Sequence, residues 1–140
     1  MATQLKAFVD VNVWYSAANK STGHARQVVS GSLPNLKLIT SERIISSARK
    51  YLEKNASSRL NILDVLIESL GKNLQIISEP NDEIILKSFE DVLDADDAAV
   101  LAGARQSNAD YLVTWNTKDF IQDKISDITI VTPAELIDKL

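Results

Sequence analysis

Short apolar segments alternate with longer amphipathic segments along the whole chain. The short segments consist largely of Val, Ile, Leu, Phe and Tyr, which is typical of strands buried in a sheet. They predict five strands at residues 5–9, 36–39, 74–77, 111–114 and 128–131. The longer segments carry apolar residues three and four positions apart, which predicts helices on about residues 13–30, 41–55, 57–70, 80–92, 96–107 and from 132 onward. We expect the first of these helices to break near residues 20–23.

Residues typical of helix ends support these boundaries. Ser41 suits the start of one helix and Gly71 the end of another, and Pro80 suits a first helical turn. Thr132 to Glu135, "TPAE", forms a capping-box sequence with proline at the first helical position. Regular strand–helix alternation predicts an α/β fold of three layers, α/β/α, around a mainly parallel five-stranded sheet. We expect residues 1–140 to form a single domain.

Composition limits the class of protein. A chain of 140 residues with 45% hydrophobic and 24% charged residues is typical of one globular domain. The absence of cysteine excludes disulfides and thiolate metal sites, and no segment is long enough to span a membrane. We therefore expect a cytoplasmic protein with no membrane partner. A net charge of −4 argues against nucleic-acid binding by bulk electrostatics, although it is compatible with an enzyme that acts on nucleic acid.

Polar side chains follow two of the predicted strands directly. Asp10 ends the first strand and Asn12 comes two residues later; Thr114, Asn116 and Asp119 follow the fourth. In parallel sheets, ligands bind beyond the carboxyl ends of the strands. Asp10 could instead cap the helix after it, and the later group could form an ordinary turn. A buried strand that runs into an aspartate nevertheless favours a functional site, because an unpaired buried carboxylate is costly.

A third group of acids opens the helix predicted from residue 96. The sequence "DADDAAVLAGA" contains Asp94, Asp96 and Asp97, followed by small residues suited to close packing on a sheet. Acids at a helix start are favourable, but three within four residues exceed what capping requires and repel one another. Oxygen ligands without sulfur or imidazole indicate a hard cation, Mg²⁺ or Mn²⁺.

These segments resemble the PIN domain family, small metal-dependent nucleases that include the VapC-type toxins. The opening "FVDVNVWYSA", the long block "DADDAAVLAGARQSNADYLVTWNTKDF" and the junction "TPAELI" are all similar to that family's pattern. The resemblance implies that Asp10 and Asp97 bind Mg²⁺ or Mn²⁺. It implies that Asn116 and Asp119 complete the catalytic site. It also implies hydrolysis of phosphodiester bonds in RNA by an endoribonuclease.

One position departs from the family pattern. Where the family usually has a glutamate in the helix after the second strand, this chain has Ser47, in "SERIISSARKYL". Glu42 lies nearby, but about 140° around the helix from position 47. The site is therefore expected to lack one carboxylate, unless Glu42 reaches it. A weakened or inactive PIN-like interaction module is the alternative function.

The remaining site hypotheses concern supporting residues and partners. We expect Asn12, Thr114 and Asp94 to support the metal ligands, and Lys118 and Trp115 to contact RNA. The resemblance implies an RNA substrate, an antitoxin protein and a homodimer. A receiver-like phosphoryl-transfer domain fits less well, because the first strand ends in one acid rather than a pair. A Gly-rich phosphate loop is absent, since the four glycines are scattered.

Overall fold

Strands and helices alternate through the computed structural model, which describes residues 4–140. The strands of this part of the chain are β1 (Leu5–Val9), β2 (Leu36–Ser41), β3 (Leu74–Ile77), β4 (Tyr111–Val113) and β5 (Thr129–Val131). Its α-helices are α1 (Val11–Asn19), α2 (His24–Val29), α3 (Glu42–Asn55), α4 (Leu60–Leu70), α5 (Asp82–Ser88), α6 (Asp96–Gln106) and α7 (Pro133–Asp138).

All five strands of the sheet are parallel, in the order β3-β2-β1-β4-β5. The chain builds the sheet outward from β1 to β3, and then returns to place β4 on the other side of β1. The crevice between β1 and β4 is therefore the point at which the strand order reverses, where open α/β sheets bind their ligands. Val9 is opposite Val113, so Asp10 and Thr114 emerge side by side from the same edge.

The central strand β1 supplies the middle of the core. Ala7, Phe8 and Val9 are completely buried, which explains why this strand has no polar alternation. Trp14 on α1 is also completely buried, and its indole N–H donates to the Thr40 hydroxyl at 3.3 Å. This bond satisfies the polar group that the indole carries into the core.

Helices cover both faces of the sheet. Helix α6 packs against β1, β2 and β4 with α5 beside it, while α1 packs on α2, α3 and α4. The approach of α6 is close: a Cβ atom on Gly103 would lie 2.6 Å from Cζ of Phe8. Glycine at this position allows α6 to lie directly on β1. Within residues 4–140, no helix is long and apolar enough to cross a membrane.

The predicted fold class is confirmed, and most element boundaries agree within a few residues. The predicted first helix is broken into α1 and α2, as expected, and "TPAE" forms a complete capping box at the start of α7. The predicted helix start at Pro80 is wrong. Helix α5 begins at Asp82 because Asn81 caps it, with its side chain accepting the N–H of Glu83 at 2.8 Å.

Two further boundaries differ. The helix predicted to run to Val92 ends at Ser88, and a 3₁₀ turn follows at Phe89–Asp91. Val92 itself forms an isolated antiparallel bridge with Phe120. The predicted helix from residue 57 begins as a 3₁₀ turn at Ser57–Arg59, and α4 starts only at Leu60. Gly71 ends α4 with a φ of 50°, a conformation that suits glycine at the end of a helix.

Candidate active site

Asp10 stands at the carboxyl end of β1 with both carboxylate oxygens hydrogen-bonded. Oδ1 accepts the backbone N–H of Val11 at 2.7 Å, which caps α1, and Oδ2 accepts the hydroxyl of Thr114 at 2.9 Å. Burial nevertheless raises the pKa of Asp10, and the charge of Asp119 raises it further, while the two hydrogen bonds oppose the shift. Asp10 is thus both a helix cap and an incompletely compensated buried carboxyl group.

Thr114 joins the ends of β1 and β4. Its side chain is fully buried, and its Oγ1 accepts the side-chain N–H of Asn12 at 3.3 Å and the backbone N–H of Asn116 at 3.1 Å. The side-chain Oδ1 of Asn12 in turn accepts the backbone N–H of Trp115 at 3.2 Å. These bonds fix the turn after β4 against the start of α1. They also orient Thr114 so that its own hydroxyl hydrogen points to Asp10.

Asp97 comes from the first turn of α6. Asp94 fixes this turn, because its Oδ1 accepts the N–H of Asp96 at 3.1 Å and its carbonyl accepts the N–H of Asp97 at 3.0 Å. Burial and the negative charges of neighbouring acids together raise the pKa of Asp97 from 3.8 to about 7. Burial is the largest cause, followed by the charges of Asp10, Asp119, Asp94 and Asp96 in that order. The neighbouring carboxylates therefore disfavour the ionised form of Asp97.

A cavity of about 640 Å³ opens at this edge of the sheet. Five of the residues predicted for the site line it: Asp10, Asn12, Ser47, Asp97 and Asn116. Asp96 lies on the same wall. The structure thus brings together side chains from β1, α3, α6 and the turn after β4, which are far apart in the sequence.

Ser47 and Glu42 differ in where they face. Ser47 lines the cavity, so the helix position that holds glutamate in the expected pattern does face the acids. Glu42 instead lines a separate surface depression together with Arg49 and Ile76. The structure therefore does not bring Glu42 into the site, and a hydroxyl group stands where a third carboxylate was considered.

Asp119 lies on the 3₁₀ turn Thr117–Asp119 and is not part of the cavity wall. Its charge raises the pKa of both Asp10 and Asp97, which places it near them electrostatically. In the described part of the chain, no three Asp, Glu or His side chains are grouped closely enough to hold a metal ion among them. The pair Asp10 and Asp97 is the part of the predicted ligand set that shares the cavity.

The two residues predicted to contact RNA lie outside the cavity wall. Lys118 is exposed on the same 3₁₀ turn. Trp115 is 42% exposed, and its indole N–H donates to the Ser16 hydroxyl at 3.1 Å. Neither contact is tested by the geometry, and both remain predictions.

Several cavity residues were missed from the sequence. Arg43, Tyr51 and Asn55 of α3 and Tyr15 of α1 line the cavity together with the acids. A signal for part of this set was present: positions 47, 51 and 55 are four residues apart, so they form one row on a helix. The apolar stripe at 44, 48 and 52 points into the core, and this row lies directly beside it.

Comparisons with known proteins agree with the sequence resemblance. The model of one protein family, described as "PIN domain", matches residues 6–118. No curated protein matches the sequence significantly.

Three solved structures illustrate the similarity in fold. VapBC2 from Rickettsia felis, bound to a DNA fragment from their promoter, is 16% identical with a TM-score of 0.65, over 90% of this chain and 97% of that one. VapBC-1 from nontypeable Haemophilus influenzae is 19% identical with a TM-score of 0.60, over 93% and 99%. VapC20 from Mycobacterium tuberculosis, described as a sarcin–ricin loop cleaving toxin, is 14% identical with a TM-score of 0.54, over 76% and 86%.

Proposed function

This chain belongs to the PIN domain family, and we propose that it is a metal-dependent endoribonuclease that hydrolyses phosphodiester bonds in RNA. The observation that carries the proposal is the meeting of Asp10 and Asp97 in one cavity at the point where the strand order reverses. Burial raises the pKa of both groups; the charge of Asp119 adds to the shift of Asp10, and the charges of Asp10 and Asp119 add to that of Asp97. Carboxyl groups perturbed in this way are typical of functional sites.

The residues present fit a hard divalent cation. Asp10 and Asp97 would hold it, with oxygen atoms of Asn116 and Ser47 available in the same cavity. Two carboxylates with several waters suit Mg²⁺ or Mn²⁺, because Mg²⁺ loses its hydration shell reluctantly. When bound, such an ion lowers the pKa of a coordinated water and stabilises negative charge on the phosphate.

Hydrogen bonds within the protein would orient the two carboxylates that bind the ion. Thr114 and the N–H of Val11 hold the Asp10 carboxylate in one orientation, and the turn formed by Asp94 fixes Asp97. We assign to Asn116 and Asp119 the orientation of the attacking water or of a second ion. Supporting hydrogen bonds of this kind matter, because they align ligands with the ion before it binds.

One protein with a similar fold has a described biological role. VapC20, which shares the fold, is described as a toxin that cleaves the sarcin–ricin loop. We propose that this chain is likewise a toxin with an RNA substrate, that a separate antitoxin protein blocks its acidic cavity, and that it forms a homodimer in the cytoplasm. We further propose that residues 1–140 are one domain.

Cleavage of mixed RNA by the purified protein tests the nuclease proposal. We expect cleavage that requires Mn²⁺ or Mg²⁺ and is lost with EDTA. We also expect it to be lost in Asp10→Asn, which keeps the size of the side chain and its ability to cap α1. Unfolding curves of both proteins control for folding. Absence of cleavage by the unmodified protein, at any concentration of either ion, would contradict the proposal.

One observation favours a second function. Ser47 places a hydroxyl where a third carboxylate would strengthen ion binding, so the cavity has fewer charged ligands than the expected family pattern. An interaction module that kept the fold without efficient chemistry would have this composition. It would bind a protein partner through the cavity face, and it would fail the cleavage test with its fold intact.

A further inference from the structure

The cavity continues beyond the acids along one face of α3. Ser47, Tyr51 and Asn55 all line it, at intervals of four residues. Eight residues of helix rise about 12 Å, so this row extends the site well past the space that an ion and a phosphate occupy. Such an extension leaves room for a larger part of a ligand than the reacting group.

Aromatic and apolar side chains form part of the wall of this cavity. Tyr51 is 56% exposed, so much of its ring is open to a ligand, and Tyr15, Val100 and Pro80 line the same cavity. A nucleobase has two flat apolar faces, and it stacks on exposed aromatic rings. The wall therefore matches the face of a base better than it matches a sugar or phosphate.

Asn55 supplies polar groups at the far end of the row. It is exposed, and its amide donates to the backbone carbonyl of Tyr51 at 3.0 Å. Because a side-chain amide can make up to four hydrogen bonds, donors and acceptors remain for the edge of a base.

Arg43 gives the cavity its positive charge. In the described part of the chain, it is the one basic residue among those that line the cavity. Its contact with Glu79 is long, at 3.9 Å, and both side chains are more than half exposed. Such an exposed pair is weak, so the guanidinium group is free to turn toward a phosphate, which it can bind through two parallel hydrogen bonds.

We propose that Arg43, Ser47, Tyr51, Asn55 and Tyr15, here called the α3 groove, bind an unpaired nucleotide of RNA adjacent to the cleaved bond. The inference rests on the proposed function and specifies its substrate as single-stranded. A base can lie on Tyr51 only after it has left its pair and its stack, and a duplex cannot present a base face to a recessed wall.

Binding measured in EDTA tests this proposal independently of catalysis. Fluorescence anisotropy would compare an end-labelled single-stranded RNA with the same RNA annealed to its complement. We expect the single strand to bind more tightly. We expect Tyr51→Ala to weaken its binding by about fivefold or more, while Tyr51→Phe, which keeps the ring, binds normally. Arg43→Gln should weaken binding and reduce its dependence on salt.

Phe89→Ala is the matched control, because Phe89 is an aromatic residue with 43% exposure that does not line the cavity. It should bind RNA like the unmodified protein. Equal affinity for single strand and duplex, no detectable binding, or equal losses in Tyr51→Ala and Phe89→Ala would overturn the proposal.

The cleavage assay separates this inference from the proposed function. Ion-dependent cleavage that is insensitive to Tyr51→Ala would contradict RNA binding in the α3 groove and support the proposed nuclease function. Binding of RNA that depends on Tyr51, without cleavage by the unmodified protein, would contradict the nuclease function and support a single-strand binding site. If a protein segment occupies the α3 groove instead, the protein will not bind RNA, and the proposal is overturned.

Discussion

Replacement of Asp97 by asparagine should make the ion-free protein more stable at alkaline pH. The pKa of Asp97 is raised from 3.8 to about 7 by burial and by its acidic neighbours. At about 1.36 kcal/mol per pKa unit, this interval corresponds to roughly 4 kcal/mol at most. Because Asp97 is only partly buried, solvent screens much of this effect, and we expect about 1–2 kcal/mol.

The sign follows from the direction of the shift. A pKa raised in the folded state stabilises the protein at low pH, and this contribution is lost progressively as the pH rises from 3.8 through about 7. The free energy of unfolding of the unmodified protein in EDTA should therefore fall between pH 5.5 and 7 and then level off. This part of the interval corresponds to about 2 kcal/mol before screening, so in Asp97→Asn the fall should be smaller by about 0.5–1 kcal/mol.

Urea denaturation across this pH range measures the difference. Glu135, whose pKa is lowered by its hydrogen bonds to Thr132, titrates below this range and does not interfere. Asp96→Asn is the control, because Asp96 is an exposed acid on the same turn whose charge is the smallest cause of the raised pKa of Asp97. Its profile should differ from that of the unmodified protein much less than the profile of Asp97→Asn does. A difference between Asp97→Asn and the unmodified protein that stays constant from pH 5.5 to 8.5 would refute the reasoning.

Three further predictions concern packing and hydrogen bonding. Arg105→Ala should cost about 2–3 kcal/mol in unfolding experiments, because this side chain is 17% exposed and binds Asp91 at 2.9 Å. The exposed pair of Arg49 and Asp64 should contribute less than about 1 kcal/mol, and equal costs for Arg49→Ala and Arg105→Ala would contradict this. Gly103→Ala should cost about 1–3 kcal/mol by collision with Phe8, a cost that Phe8→Leu should partly relieve in the double variant. Thr114→Val should weaken Mn²⁺ binding about 10–100-fold in calorimetry while Thr114→Ser retains it, because the hydroxyl orients Asp10; equal affinities would contradict this.

The fold could be predicted because its signals are local. Each strand is a short apolar run, and each helix has its own spacing of apolar residues and its own end signals. Errors arose at helix ends, where a single contact decides the boundary. Val92 follows an apparently helical pattern, but α5 ends before it, and Val92 pairs with Phe120, which is distant in sequence. Pro80 looks like a helix start, but the side chain of the next residue, Asn81, caps a helix that starts at Asp82.

The candidate site could be predicted in part for the same reason. Asp10 and Thr114 each follow a buried strand, and ligands in parallel sheets bind beyond the strand ends, so the sequence predicted that the two residues lie together. The structure shows a hydrogen bond between them, across 104 positions of the chain. The direction of α3 could not be derived from its sequence with certainty, so Glu42 and Ser47 both stayed open. The α3 groove was missed, because its row of Ser47, Tyr51 and Asn55 contains no charged residue and resembles an ordinary helix surface.

Anomalous scattering from crystals soaked with Mn²⁺ would show whether Asp10 and Asp97 bind one cation between them. We expect one peak between the two carboxylates, at about 2.1 Å from an oxygen of each. The same peak should be absent from crystals of Asp10→Asn. A well-occupied Mn²⁺ held by other residues, or no peak between these two side chains at saturating ion, would show that Asp10 and Asp97 do not form the metal site.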